Sequence, residues 1–232
     1  MASYEKINWE NGTKVNEGYV IIDGVTYQTV QPEYTGATPI NVENLNHMDE
    51  GIYNAINKGI EMATGDVIGF VHSDDMLFSS DSIEHIANAF VSSDVELIYG
   101  DLQYCKGDKV VRRWKSNTYN PCALKYGWMP PHPTVYCKRE VYEKVGLYDE
   151  WFHISADYDM MLRIFRAGYQ SLYIPEVLVC MQVGGASNKN ASALLSKTQE
   201  DRLVLKKNHV GFGYLTVACK QLRKIKQFIR KY

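Results

Sequence analysis

The run Val67-Ile68-Gly69-Phe70-Val71-His72-Ser73-Asp74-Asp75 constrains this chain more than any other stretch. A short apolar run rich in β-branched residues reads as a buried strand, and this one stops at two adjacent carboxylates. In an open α/β sheet, ligands bind outside the carboxyl ends of the strands. Two neighbouring acids repel each other, so a cation or a set of donors is needed to hold both ionised. The competing reading is that Ser73-Asp74-Asp75 only caps a following helix, because Ser and Asp are favoured N-caps. The pair alone leaves both readings open.

Around it, strand and helix signals alternate. Ile52, Ala55, Ile56, Gly59 and Ile60 recur at helical spacing, and Thr64-Gly65 stops that helix. A helix is expected over residues 81–91. Strands are expected at 96–100, around 102–104, around 110–112 and at 134–137. Helices over 139–145 and 157–167 follow, the second closed by Gly168 as a C-cap. Two more strands, at 171–174 and 177–181, precede a Gly184-Gly185 loop, and helices fill the remainder. This alternation predicts an α/β class with a mixed sheet flanked by helices.

Four motifs then fall in order: Asp49-Glu50-Gly51-Ile52-Tyr53-Asn54-Ala55-Ile56-Asn57-Lys58-Gly59, Ala63-Thr64-Gly65-Asp66, the strand ending Ser73-Asp74-Asp75, and Ala156-Asp157-Tyr158-Asp159-Met160-Met161-Leu162-Arg163. The ordered set, from about Asp49 to Ser187, resembles the family 2 glycosyltransferases of the GT-A fold. That resemblance implies inverting transfer of a sugar from a nucleotide-sugar donor to a hydroxyl of a glycan or lipid-linked acceptor. It implies Asp75 as ligand of Mg²⁺ or Mn²⁺, metals suited to carboxylate and phosphate oxygens, with Asp74 touching the ribose or a metal-bound water. Asp157 is implied as the general base, against the alternative of a capping Asp. Asp49, Asn54 and Asn57 fall at donor contacts, and His132, flanked by Pro131 and Pro133, near the acceptor. Gly185 and Ser187 lie in a loop that closes over the diphosphate. Arg163 stands at i+4 from Asp159, placed to pair with it or to reach phosphate. Lys58 reads as a solvated helix residue.

The first 48 residues are different. Tyr19-Val20-Ile21-Ile22 and Val25-Thr26-Tyr27 around Asp23-Gly24 read as a hairpin. The apolar first strand and amphipathic helix that open a complete family 2 enzyme are not visible. Ile21-Ile22-Asp23-Gly24 is one candidate for the family's second strand. Alternatively, the stretch through Thr38-Pro39-Ile40-Asn41-Val42-Glu43-Asn44-Leu45-Asn46-His47-Met48 resembles leader modules of phage tail and baseplate proteins. The division expected is therefore 1–48 leader, 49–190 GT-A-like catalytic domain and 191–232 helical extension. A missing first strand would leave an open sheet edge, which invites pairing with another chain.

Charge and cysteine usage narrow the classes. Lys and Arg number 25 against 27 Asp and Glu, yet residues 220–232 hold six basic side chains and no acid. A near-neutral chain with one basic surface is no generic nucleic-acid binder. In that segment Leu222, Ile225, Phe228 and Ile229 share one helical face, which fits an interfacial helix on anionic lipid or a helix packed on its own domain. The five cysteines are scattered without a C-x-x-C pair, which argues for a reducing compartment and against a cysteine zinc site. The expectation is a cytoplasmic protein with peripheral contact at the inner membrane face. Two rivals remain: a phage-associated binding protein with an incomplete, inactive glycosyltransferase-like half, and a glycosidase using Asp75 and Asp157, for which no motif speaks.

Overall fold

A computed structural model describes residues 19–22, 25–28, 51–72, 75–107, 109–183 and 191–229. In chain order the elements are β1 (Tyr19–Ile22), β2 (Val25–Gln28), α1 (Ile52–Met62), β3 (Val67–His72), β4 (Met76–Leu77) and α2 (Ser82–Ser92). Then come β5 (Leu97–Lys106), β6 (Lys109–Trp114), α3 (Pro121–Leu124), a 3₁₀ turn (His132–Thr134), β7 (Tyr136–Lys138) and α4 (Arg139–Val145). The chain closes with α5 (Ala156–Arg166), β8 (Ser171–Gln182), α6 (Ala191–Lys207) and α7 (Tyr214–Ile229).

The sheet runs β1-β2-β3-β7-β5-β8-β4, with β6 paired to β5 off that path. Only β5 and β8 pair parallel among the described strands; the rest are antiparallel. β3 is buried along its four central residues, as its composition dictates. Gly69 lies opposite Tyr136, and a Cβ there would fall 2.2 Å from the Tyr136 ring, so glycine is what lets β7 seat against β3. The expected hairpin forms: Ile22 pairs with Val25, and β2 then pairs antiparallel with β3, Val25 opposite His72. That edge of β3 is covered, not open.

Two pairs of expected strands fuse. Residues 97–100 and 102–104 lie in one strand, β5, and 171–174 and 177–181 in another, β8. The gap expected between 174 and 177 is a bulge at Pro175. Proline has no N–H to give the ladder, so the register slips from Tyr99↔Tyr173 to Asp101↔Val177 and pairing resumes. Cys105 of β5 and Cys180 of β8 are joined by a disulfide, Cα atoms 6.2 Å apart. Their separation of 75 residues hid the pair from the sequence, and Cys122, Cys137 and Cys219 remain thiols.

Helices cover both faces of the sheet. On one, Ile56 and Ile60 of α1, Val141 of α4 and Leu162 and Phe165 of α5 pack with Phe70 and Leu97. On the other, Ile86 of α2 meets Leu102, Leu178 and Val179. The last helix does not pack on its own domain through the apolar face that its sequence pattern marks. Thr216, Val217 and Lys220 of α7 are buried, while Leu222 and Ile225 are 61 % and 51 % exposed. No helix among the described residues is long and apolar enough to cross a membrane.

Candidate active site

At the carboxyl end of β3 the chain turns sharply: the Asp75 N–H donates to the His72 carbonyl at 2.8 Å. Asp75 is 8 % exposed. The next element is the short strand β4, and α2 begins only at Ser82, behind Asp81. Asp75 therefore caps no helix. Asp74 lies outside the described residues, as do Asp49, Gly185 and Ser187.

Facing this turn is the N-terminus of α5. Its N-cap is Ser155, so Asp157 is not the cap. α6 clamps this end: Glu200 Oε2 accepts from the Ile154 and Ser155 N–H groups at 2.8 and 2.9 Å, and Ser155 Oγ donates to Asp201 Oδ1 at 2.8 Å. Asp157, in the first turn, accepts from the Tyr158 N–H through Oδ1 (2.8 Å) and lies 3.3 Å from His132 Nδ1 through Oδ2. His132 is aimed by its proline flanks and by Thr134, whose hydroxyl sits 3.0 and 2.8 Å from the Gly100 and Pro131 carbonyls. The His72 ring is 5.8 Å from that of His132. Tyr53 of α1 closes the group, its hydroxyl donating to the Ile154 carbonyl at 3.0 Å.

The electrostatics follow from this packing. Burial pushes the Asp157 carboxyl up, but His132, Lys197 and Lys220 and the Tyr158 N–H outweigh it and hold it below the usual range. Burial lowers His132, against the pull of Asp157 and with a further push from Lys197 and Lys220. Burial and the neighbouring His132 bring His72 down to about 4. Burial and Asp157 together raise the Tyr53 phenol. Tyr104 of β5 is raised first by burial and also by both Asp75 and Asp157, while Arg112, whose guanidinium lies 4.0 Å over its ring, lowers it. Tyr104 thus stands within electrostatic reach of both acids.

The expected residues divide. Tyr104 lies within electrostatic reach of both Asp157 and Asp75, and His132 and Asp157 come together. Asn54 and Asn57 do not: the Asn54 amide donates to Glu150 (3.0 Å), and Asn57 binds Glu150 and both backbone groups of Tyr148 at 2.7–2.9 Å, pinning the loop before α5. Arg163 is likewise held elsewhere, donating to Asp159 (2.9 Å) and to the Val145, Gly146 and Leu147 carbonyls. Asn57 and Arg163 spend their polar groups on protein partners, whereas Asn54 gives one amide N–H to Glu150 and its buried Oδ1 has no partner. Tyr53, His72, Tyr104, Arg112 and Lys197 were not among the expected site residues, and Lys220 and Lys224 were read only as part of a basic surface at residues 220–232. His72, one step before Ser73-Asp74-Asp75, carried a signal; the others reach the site only through tertiary packing.

A mixed sheet with a buried acid at the carboxyl end of β3, and an Asp–His pair opening the facing helix, defines a GT-A-like α/β fold. The chain belongs to glycosyl transferase family 2, whose family model matches residues 12–157. That match begins inside the stretch likened above to a phage leader. The chain is 28 % identical over 148 residues to a PGL/p-HBAD biosynthesis glycosyltransferase of Mycobacterium bovis, covering 60 % of this chain and 54 % of the relative. It is 27 % identical over 150 residues to an uncharacterized glycosyltransferase of Mycobacterium tuberculosis, covering 62 % and 56 %. The chain thus spans about half the length of the curated relatives it matches. The crystal structure of S. aureus TarS 1–349 shares the fold with a TM-score of 0.50 at 10 % identity, over 76 % of this chain and 52 % of that one.

Proposed function

We propose that this protein is an inverting glycosyltransferase that moves a sugar from a nucleoside diphosphate donor to a hydroxyl of a glycan or lipid-linked acceptor. The observation that carries the reading is the Asp157 carboxylate, ionised, half-buried and held by His132 at the mouth of α5, facing the β3 end that bears Asp75. In the step, the acceptor oxygen attacks the anomeric carbon, the bond from that carbon to the phosphate oxygen breaks, and its electrons leave with the nucleoside diphosphate. The acceptor proton passes to Asp157. In the empty site Asp157 is a weak base; an arriving polyanion raises its proton affinity, toward the range general-base catalysis needs. His132 keeps the carboxylate oriented.

A divalent cation suits the Asp75 end. Among the described residues no group of three or more His, Cys, Asp or Glu could hold a metal. Mg²⁺ and Mn²⁺ sites in nucleotide enzymes need only one or two carboxylates, because phosphates and water complete the shell. A single buried, non-capping Asp75 fits that requirement. Such an ion would stabilise charge on the leaving phosphate.

The outward apolar stripe of α7, Leu215, Leu222 and Ile225, on a segment without acids, supports peripheral contact with anionic lipid. Residence on the cytoplasmic face belongs to the same reading. The Cys105–Cys180 disulfide stands against a reducing compartment, and a thiol count on protein taken directly from cells decides it.

The rival, a phage-associated binding protein with an inactive transferase-like half, draws on one feature: β2 joins β3 antiparallel, where dinucleotide-type crevices use parallel strands. Calorimetric titration with UDP and GDP, with and without Mn²⁺, separates the two. Metal-dependent binding supports the transferase, and no binding by folded protein supports the rival.

A further inference from the structure

The first turn of α5 is capped from outside the helix. In a capping box the N-cap hydroxyl accepts from the N–H three residues on, and a Glu or Gln at that third residue accepts from the N-cap N–H. Here the N-cap is Ser155 and the third residue is Tyr158, so the second half is missing. Glu200 of α6 supplies it, its Oε2 accepting from the Ile154 and Ser155 N–H groups at 2.8 and 2.9 Å. The first half is rearranged as well. Ser155 makes no side-chain cap bond, and its Oγ is turned to Asp201 Oδ1, to which it donates at 2.8 Å. The Tyr158 N–H that a serine would cap goes to Asp157 Oδ1 instead, at 2.8 Å, while Asp157 Oδ2 lies 3.3 Å from His132 Nδ1.

α7 completes the grip. Lys220 Nζ lies 2.9 Å from Asp201 Oδ1 and 3.3 Å from the centre of the Tyr158 ring. Asp201 is fully buried and Lys220 nearly so. A buried ion pair adds little to stability, since well-packed apolar residues of similar volume often do as well or better. Together Glu200, Asp201 and Lys220 hold residues on both sides of Asp157: Ile154 and Ser155 before it, and Tyr158 after it. Both helices lie beyond residues 12–157, the part of the chain that the family model matches.

We infer that Glu200 and Asp201 are positioning residues for Asp157. By taking the Ser155 hydroxyl and the Ile154 and Ser155 N–H groups, they leave Asp157 to cap Tyr158 with one oxygen and to present the other beside His132. The inference rests on the assignment of Asp157 as the base, and it makes α6 and α7 part of the machinery of transfer. A reacting group displaced by about 1 Å loses roughly 100-fold in rate, so the hold bears on rate more than on stability.

The test reads the His132 imidazole by ¹H–¹⁵N NMR of the full chain, its signals assigned by their loss in His132→Gln. Asp157→Ala gives the reference positions for a ring without its carboxylate. Glu200→Ala is the main variant, and Glu200→Gln the conservative one, because an amide oxygen still accepts from both N–H groups. Arg202→Ala, against the Tyr214 ring on the exposed side of α6, controls for loosened helix packing, and thermal melts verify folding. In Glu200→Ala the His132 signals are expected to move most of the way to their Asp157→Ala positions. Glu200→Gln should return them, Arg202→Ala should leave them in place, and affinity for UDP with Mn²⁺ should not change. Should Glu200→Ala fail to fold, Glu200→Asp, one methylene too short to reach both N–H groups, carries the same test. Signals that stay at wild-type positions, or that move as far in Arg202→Ala, would show that these contacts serve packing alone and overturn the inference. If folded wild-type protein binds neither UDP nor GDP, the transferase reading fails and takes this role with it. If nucleotide binds and the His132 signals do not move, the inference alone is refuted.

Discussion

Asp157 and Asp159 stand two residues apart at the start of one helix, and the fold treats them in opposite ways. Asp159 is fully buried and saturated: it accepts from Arg163 and Lys207 at 2.9 Å each and from the Asn208 amide at 2.7 Å. Asp157 keeps part of its carboxylate at the surface, with one imidazole and one backbone N–H as partners. The first locks α5 to α6 and to the loop after α4. The second is left with acceptor capacity beside His132 and within the field of Lys197 and Lys220. The same residue type on the same helical turn is thus structural or chemical according to how many donors the surrounding elements bring to it.

Breaking the open acid should cost chemistry and not the fold. Asp157→Asn is expected to lower transfer by about 10³-fold, within the range for general-base removal. Donor affinity and melting temperature should stay at wild-type values; retained turnover would remove Asp157 from the role. Breaking the closed acid should do the reverse. Asp159→Ala strands Arg163, Lys207 and Asn208 and should cost about 3 kcal/mol of stability, read as a lowered denaturant midpoint, with turnover preserved below the new melting point.

The histidines sharpen the contrast on the open side. His72 is neutral in the folded protein down to about pH 4, whereas in the unfolded chain it takes up a proton near pH 6.5. As pH falls from 6.5 to 4 the unfolded state binds the extra proton, so stability drops across that window, by at most about 3.5 kcal/mol at ~1.4 kcal/mol per unit. His72→Gln should flatten that part of the stability–pH curve; an unchanged slope would mean His72 is hydrated. His132→Gln is the mildest change. Losing a group that holds the Asp157 carboxyl down should move the acid limb of kcat/KM to higher pH and lower the maximum about tenfold. An unmoved limb would show that the lysines alone set Asp157.

Part of the difference between the two acids was legible in the sequence, where Arg163 stands at i+4 from Asp159 and pairs with it, but the Lys207 and Asn208 partners that saturate Asp159 were not. The β3 strand, the α1, α2, α4 and α5 helices and the hairpin at Asp23-Gly24 follow from apolar periodicity and local turn chemistry, and they came out within a few residues. The acids, being local to a strand end and a helix start, were visible for the same reason. What decides their roles comes from far along the chain: Lys207, Asn208 and Lys220 lie about 50 to 60 residues beyond the start of α5. Asn57 looks like a polar side chain seeking a ligand until Glu150 and Tyr148 are set beside it, while the Arg163–Asp159 pair was one of the two readings its i+4 spacing offered. The continuity of β5 and β8 was not read from the sequence, because the pairing carries register shifts on either side of Asp101.

The central claim is that the β3 end and the α5 start form one nucleotide-sugar site with separate duties for Asp75 and Asp157. Calorimetry with UDP and GDP in the presence of Mn²⁺, run on wild type, Asp75→Ala and Asp157→Asn, tests it most directly. The account predicts metal-dependent binding that Asp75→Ala abolishes and Asp157→Asn leaves intact. Binding that survives Asp75→Ala unchanged, or that is absent from folded wild-type protein with either nucleotide, would contradict it.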